Sequence, residues 1–161
     1  MTHRISATIV AAAFVFASGL ALAQDGAVSP FIGAWKMNVA KSKFEGTPPV
    51  KSYSITITDA GDGKTHNLAQ WVDSDGTKGQ AEYTTKADGK ASPVTGYPNA
   101  DSVRSTSTGP RSSKMSLLKA GKVVEWGKYT VSSNGKSMLG TEGGTDAEGA
   151  KYKWTEVFER Q

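Results

Sequence analysis

Glu156 alternates with Tyr152, Trp154 and Phe158 near the end of the chain, while Lys151, Lys153 and Glu159 take the opposite parity. Side chains two apart share one face of an extended strand, so this pattern sets a carboxylate among three aromatic groups on the inner surface of a sheet. A carboxylate in that position must be paired, or else neutralised by a raised pKa. It is therefore either half of a structural ion pair, with Arg104 or Arg160 as partner, or a polar anchor for a ligand, or a general base. Trp71, Trp126, Trp154, Tyr83, Tyr129, Tyr152 and Met115 supply more aromatic and polarisable surface than a filled core of this size needs. As a set they are candidates for the wall of a ligand pocket suited to an apolar molecule or to a sugar stacked on a ring face, ordinary core packing being the alternative. Periodicity leaves open whether Glu125 or Trp126 faces inward, because Val123, Glu125, Tyr129 and Val131 share one face of their strand while Val124, Trp126 and Lys128 share the other.

Other chemistries lack their residues. The chain has no cysteine, which excludes disulfides, zinc thiolates, a cysteine nucleophile and a lipid-modified cysteine. Its histidines are His3 and His66, and His3 falls within a segment expected to be removed. One imidazole cannot make a two-histidine metal site or a paired-histidine mechanism. His66 follows the Asp62-Gly63 turn, where solvent exposure is the simpler reading than haem ligation. Asp73-Ser74-Asp75-Gly76 opens like a calcium loop but has no third acidic position and no closing glutamate, so it reads as a hairpin turn. Gly-x-Ser-x-Gly is absent. No catalytic residue, metal or cofactor is assigned on these grounds. A net charge of +4 spread along 161 residues is too small and too even for a nucleic-acid footprint.

The elements that must position these groups are strands. Gly63, Gly76 and Gly89, then Gly121, Gly135 and Gly149, recur thirteen or fourteen residues apart in Asp-Gly, Ala-Gly, Asn-Gly and Glu-Gly turns. Each interval holds one strand and its turn, the rhythm of an up-and-down meander. Tyr53, Ile55 and Ile57 alternate with Ser52, Ser54, Thr56 and Thr58, and Met115 and Leu117 with Lys114 and Ser116. Further runs at 31–38, 65–72, 78–86, 103–108, 122–132, 136–143 and 151–159 bring the expected number of strands to about nine. Pro93, Gly96 and Pro98 predict a crossing loop over 92–101, and Asn38 can cap a single helical turn after the first strand. The expected fold is all-β, an antiparallel meander closed into a barrel of about eight to ten strands, with a β-sandwich as the alternative.

Ahead of the domain, His3 and Arg4 precede the apolar run from Ile5 to Ala17, and Ala21-Leu22-Ala23 offers a signal-peptidase site before Gln24. The expected organisation is a signal peptide at 1–23, a flexible leader at 24–30 and a barrel domain at 31–161. The mature chain is then exported to the periplasm or beyond, without stable membrane insertion, as a monomer.

Phe31-Ile32-Gly33-Ala34-Trp35-Lys36 carries Gly-x-Trp on the first strand. Gly33 to Asn38, then Lys41-Ser42-Lys43-Phe44, Asp88-Gly89-Lys90, Pro93-Val94-Thr95-Gly96 and Ala100-Asp101 together resemble a family of small secreted bacterial lipocalin-like, calycin-type β-barrels, over nearly the whole mature chain. The resemblance implies a barrel with an interior cavity in which Trp35 plugs one end against a basic side chain of the last strand, with Arg160 in that place. The functional expectation is a carrier of a small hydrophobic or amphipathic molecule. A barrel isomerase or cyclase using Glu156 or a tyrosine is the enzymatic alternative. N-terminal sequencing of the exported protein should begin at Gln24, and a membrane-embedded chain that still begins at Met1 would overturn the leader reading.

Overall fold

The structure, a computed structural model, describes residues 28–146 and 149–161; the expected signal at 1–23 and the leader up to residue 27 lie outside the described residues. Eleven strands follow one another: β1 (Gly33–Met37), β2 (Lys43–Glu45), β3 (Ser52–Asp59), β4 (Lys64–Val72), β5 (Lys78–Lys86), β6 (Asp88–Thr95), β7 (Ser102–Gly109), β8 (Ser112–Lys119), β9 (Lys122–Val131), β10 (Ser137–Thr145) and β11 (Lys151–Arg160). From β3 to β11 each strand pairs antiparallel with the next, and β1 pairs with both β3 and β11. The result is a closed ten-stranded up-and-down barrel with one extra strand. Closure through β1 and β11 rules out the sandwich, whose two sheets would leave those strands as edges. In the tight β3–β4 turn both Asp62 and Gly63 sit at positive φ, 53° and 70°, whereas at Asp75-Gly76, Asp88-Gly89 and Asn134-Gly135 only the glycine does.

Two elements differ from the sequence expectation. The first strand ends at Met37, turns through a short 3-10 segment at Val39–Lys41 whose amide at Lys41 donates to Asn38 Oδ1 (3.2 Å), and resumes as β2. β2 then lies beside the lower half of β11, with Phe44 opposite Trp154, so that β1 and β2 together cover one side of the longest closing strand. The crossing loop expected over 92–101 is corrected: β6 runs through Pro93 to Thr95, and only 96–101 form the connection. A proline is accommodated because β6 is irregularly paired. Its register to β7 slips between Asp88 and Ala91, and it meets β5 only at Glu82–Thr95 and Tyr83–Val94.

The core gathers beneath the closing strands. Trp35, 1% exposed, packs with Met37, Ile57, Val131, Met138 and Phe158. Its Nε1 donates to the Phe31 carbonyl (2.8 Å), and the Arg160 guanidinium carbon lies 4.1 Å from the ring centre. Arg160 donates to the carbonyls of Pro30 (2.7 Å), Ile32 (2.6 Å) and Gly135 (2.6 Å). Gly33, at φ 140°, is required here, since a Cβ would collide with Arg160. A second cluster of Val94, Ala100, Val103 and Leu117 fills the opposite wall. Replacing Trp35 by alanine should therefore cost about 3–5 kcal/mol in denaturant unfolding, the usual loss for a buried large aromatic; a loss below about 1 kcal/mol would mean that the ring carries no such role.

Candidate functional site

The barrel encloses a cavity of about 240 Å³ that reaches the end carrying the turns at Gly63, Ala87 and Gly109-Pro110, with Ser29 to Phe31 at its rim. Ile55, Ile57, Ala69, Met115 and Met138 make its apolar wall, and Thr65, Asn67, Thr85, Ser105 and Ser113 place hydroxyl and amide groups among them. Tyr53, Tyr83, Tyr97 and Tyr129 complete the lining. The tyrosine hydroxyls are engaged: Tyr53 and Tyr97 share a hydrogen bond (3.1 Å), Tyr83 donates to Met115 Sδ (3.5 Å), and Tyr129 donates to Glu142 Oε2 (2.7 Å). Burial, acting together with nearby carboxylates, raises the ionisation of all four well above an ordinary phenol, so they remain protonated.

Beside the tyrosines stand three glutamates on adjacent strands: Glu125 on β9, Glu142 on β10 and Glu156 on β11. Each faces a glycine across the ladder, Glu125 opposite Gly144, Glu142 opposite Gly127 and Glu156 opposite Gly140. These glycines provide the room. A Cβ at Gly140 would press on both Glu156 Oε2 and the Tyr129 ring, and one at Gly127 on Tyr129. Tyr152 donates to Glu125 Oε2 (2.5 Å), whereas Glu156, 2% exposed, has an Oε2 with no partner. The expected ion pair with Arg104 or Arg160 does not form: Arg160 is spent on backbone carbonyls, and Arg104 lies exposed on the outer face of β7. The ion pair among the described residues is Lys41–Glu159, at the surface. Desolvation without a nearby cation raises all three carboxyls; Glu142 lies well above the ordinary range, and Glu156, with Glu125 adding repulsion, is pushed up to about 8. No group of acids or histidines among the described residues is arranged to hold a metal ion.

The structure distributes the residues singled out by sequence over four places. Tyr83, Met115 and Tyr129 line the cavity. Trp71 stacks between Tyr53 (6.1 Å) and Tyr97 (5.5 Å) and lies against Gly79, while Trp154 packs edge-on to Phe44 (5.0 Å) and donates to Thr47 Oγ1 (2.8 Å), so both close the wall rather than line it. Tyr152 and Glu156 belong to the carboxyl cluster. Trp126 is corrected: it lies on the outer surface, 39% exposed, with its ring over Gly143. A register shift between Leu117 and Leu118 inserts an extra residue on β9, which separates Val123 from the face of Glu125, and the inward places fall to Glu125, Gly127 and Tyr129. His66 faces outward, 3.3 Å from the Thr84 hydroxyl. Sequence reasoning missed Tyr97, which comes from a loop, and Glu142, whose glycine neighbours at 140, 143 and 144 erase the alternation that would have marked it. Tyr53 was marked by its alternation with Ile55 and Ile57.

The raised carboxyls set the sign of the pH dependence. Between the unfolded carboxyl value of 4.5 and about 8, folded Glu156 holds a proton that the unfolded chain has released, so stability falls as pH rises, by up to about 1.4 kcal/mol per pH unit, and the raised Glu125 and Glu142 act with the same sign. Denaturant midpoints should be higher at pH 5 than at pH 8, and Glu156→Gln should flatten the difference; a midpoint that rises with pH would contradict the buried, unpaired state of the cluster.

No protein-family model matches the chain, and no curated protein matches it in sequence. Solved structures do. The crystal structure of Rv2717c from M. tuberculosis superposes with a TM-score of 0.53 at 14% identity, over 84% of this chain and 95% of that one. A redesigned β-barrel (TM-score 0.44, 16% identity, 83% of this chain and 93% of that one) and the siderocalin Ex-FABP (0.38, 11%, 83% and 75%) are more distant. The fold is thus a closed antiparallel up-and-down β-barrel, shared with Rv2717c.

Proposed function

We propose that the protein is an exported carrier that binds a small hydrophobic or amphipathic molecule inside its barrel. The observation that carries this reading is the cavity itself: a space of about 240 Å³ walled by aliphatic, methionine and tyrosine side chains, with a few hydroxyls among them. Such a composition gives contact area to an apolar body and a small number of polar groups to orient it. Phe31 and Pro30 stand at the rim, where Arg160 hydrogen bonds to the Pro30 and Ile32 carbonyls fix the segment that carries them. The leader pattern ending at Ala23 supports export.

A neutral environment-sensitive dye such as N-phenyl-naphthylamine should bind with one-to-one stoichiometry and a blue-shifted, enhanced emission. Ala69→Phe, which fills the cavity from its wall, should abolish that signal, while Trp126→Ala on the outer face should leave it unchanged, both variants being checked for native circular dichroism. A flat titration with the wild-type protein would mean a barrel packed by its own side chains and would overturn the carrier reading.

A further inference from the structure

We infer that the molecule carried in the barrel bears a basic nitrogen, an ammonium or protonated amine on an apolar body, received at the tyrosine and carboxyl side of the cavity. This rests on the carrier reading and specifies its ligand. Two independent features point the same way. The first is the hydroxyl inventory: Tyr83 and Tyr129 each have one O–H, and it is spent on Met115 Sδ and on Glu142. What their oxygens still offer to the cavity is lone pairs, and what their rings offer is a negative face. Both favour a cationic donor. The second is Glu156 Oε2, a buried carboxyl oxygen with no hydrogen-bond partner in the protein, and a polar atom buried unpaired is costly.

The register ties this cluster to the cavity. Ser113 and Met115, both in the lining, stand opposite Tyr129 and Gly127 on β9, which in turn stand opposite Gly140 and Glu142 on β10, and Gly140 faces Glu156 on β11. The carboxyls stand behind the lining, and Tyr129 joins the two: it lines the cavity, its hydroxyl bonds Glu142, and its ring meets Glu156 Oε2 over Gly140. The three acids are spread over three successive rows and do not converge on one point, which suits an organic cation with a diffuse set of partners and not a metal ion. A carboxylate head group would add a fourth acid to a cluster that has no counter-cation, so a fatty acid is disfavoured head-inward.

Binding is a proton exchange. The groups around Glu156 are Glu142 on β10 and Glu125 on β9, with Tyr129 and Tyr152 bonded to those two, and among the described residues no lysine, arginine or histidine completes the set. The cationic amine enters and one carboxyl proton leaves to solvent, so the interior remains neutral while an ammonium–carboxylate hydrogen bond replaces a neutral acid. Octylamine, octanol and octanoate share one chain length and separate the head-group classes. By titration calorimetry at pH 7, octylamine should bind about tenfold or more tightly than octanol, in line with a charge-assisted hydrogen bond, and octanoate weakest. Repeating the titration in buffers of different ionisation enthalpy should show close to one proton released per octylamine and none per octanol. Glu156→Gln should bring octylamine to within about threefold of octanol without weakening octanol, the change being the loss of the charged partner alone. Equal affinities for amine and alcohol, or amine binding without proton release, would overturn the inference; the wild-type measurements decide this even if the variant fails to fold. If N-phenyl-naphthylamine binds and octylamine shows no preference, the carrier reading stands and the amine inference falls. If neither the dye nor any octyl ligand binds, the carrier reading falls with it.

Discussion

A barrel made from one meander depends on its first and last strands finding each other, and here that pairing is anchored by Arg160. Its guanidinium donates to carbonyls at Pro30, Ile32 and Gly135, and lies over the face of Trp35, the residue opposite it in the β1–β11 ladder. One side chain therefore joins the segment before β1, the β9–β10 turn and the end of β11. A planar group with several donors in fixed directions can do this, whereas the point charge of a lysine could not. The contact also determines what its neighbours are: glycine at 33, where a side chain would strike the guanidinium, and an indole at 35, broad enough to be covered by it.

With closure secured on one side, the interior divides into two regions of different chemistry. Under β1, β3 and the upper part of β11 it is an apolar core of ordinary kind. Toward β9, β10 and the lower part of β11 it holds three carboxyl groups with no counter-cation, each facing a glycine. Glycine weakens a strand, and a buried carboxyl without a partner weakens a core. Finding both in register on three neighbouring strands means that the wall has been thinned to seat polar groups, and the neutral, protonated state is how the fold tolerates them. The cavity lies alongside this wall, so the costs and the space occur at the same place.

The openings in the ladder are distributed with similar economy. β6 is the weakest link, slipped in register against β7 and joined to β5 at only two pairs, and the turn before it, at Ala87, is on the rim of the cavity. On the opposite side β2 reinforces β11 where β1 has ended, and Trp154, Phe44 and Thr47 seal that seam.

Much of this was legible in the residues alone. Glycine turns at near-constant spacing pointed to a meander because a positive-φ glycine favours a turn at or beside its own position, and two-residue alternation marked the inner faces of β3 and β11, including Tyr53, Ile55, Ile57 and Glu156. Those are local properties of a backbone that points successive side chains to opposite sides. What sequence could not decide were the features that depend on a neighbouring strand. β2 exists because β11 is longer than β1, and β6 survives its proline because its partners release the register. Val123 leaves the face of Glu125 because a bulge against β8 resets the parity at the start of β9, and Glu142 is interior although glycines on its own strand conceal the alternation. Whether Glu156 would meet an arginine or stand unpaired was likewise settled only when closure committed Arg160 to three carbonyls at the other end of the strand. Alternation follows from one chain's geometry; register, bulges and charge pairing are set between chains of residues far apart in sequence, and only the closed barrel brings them together.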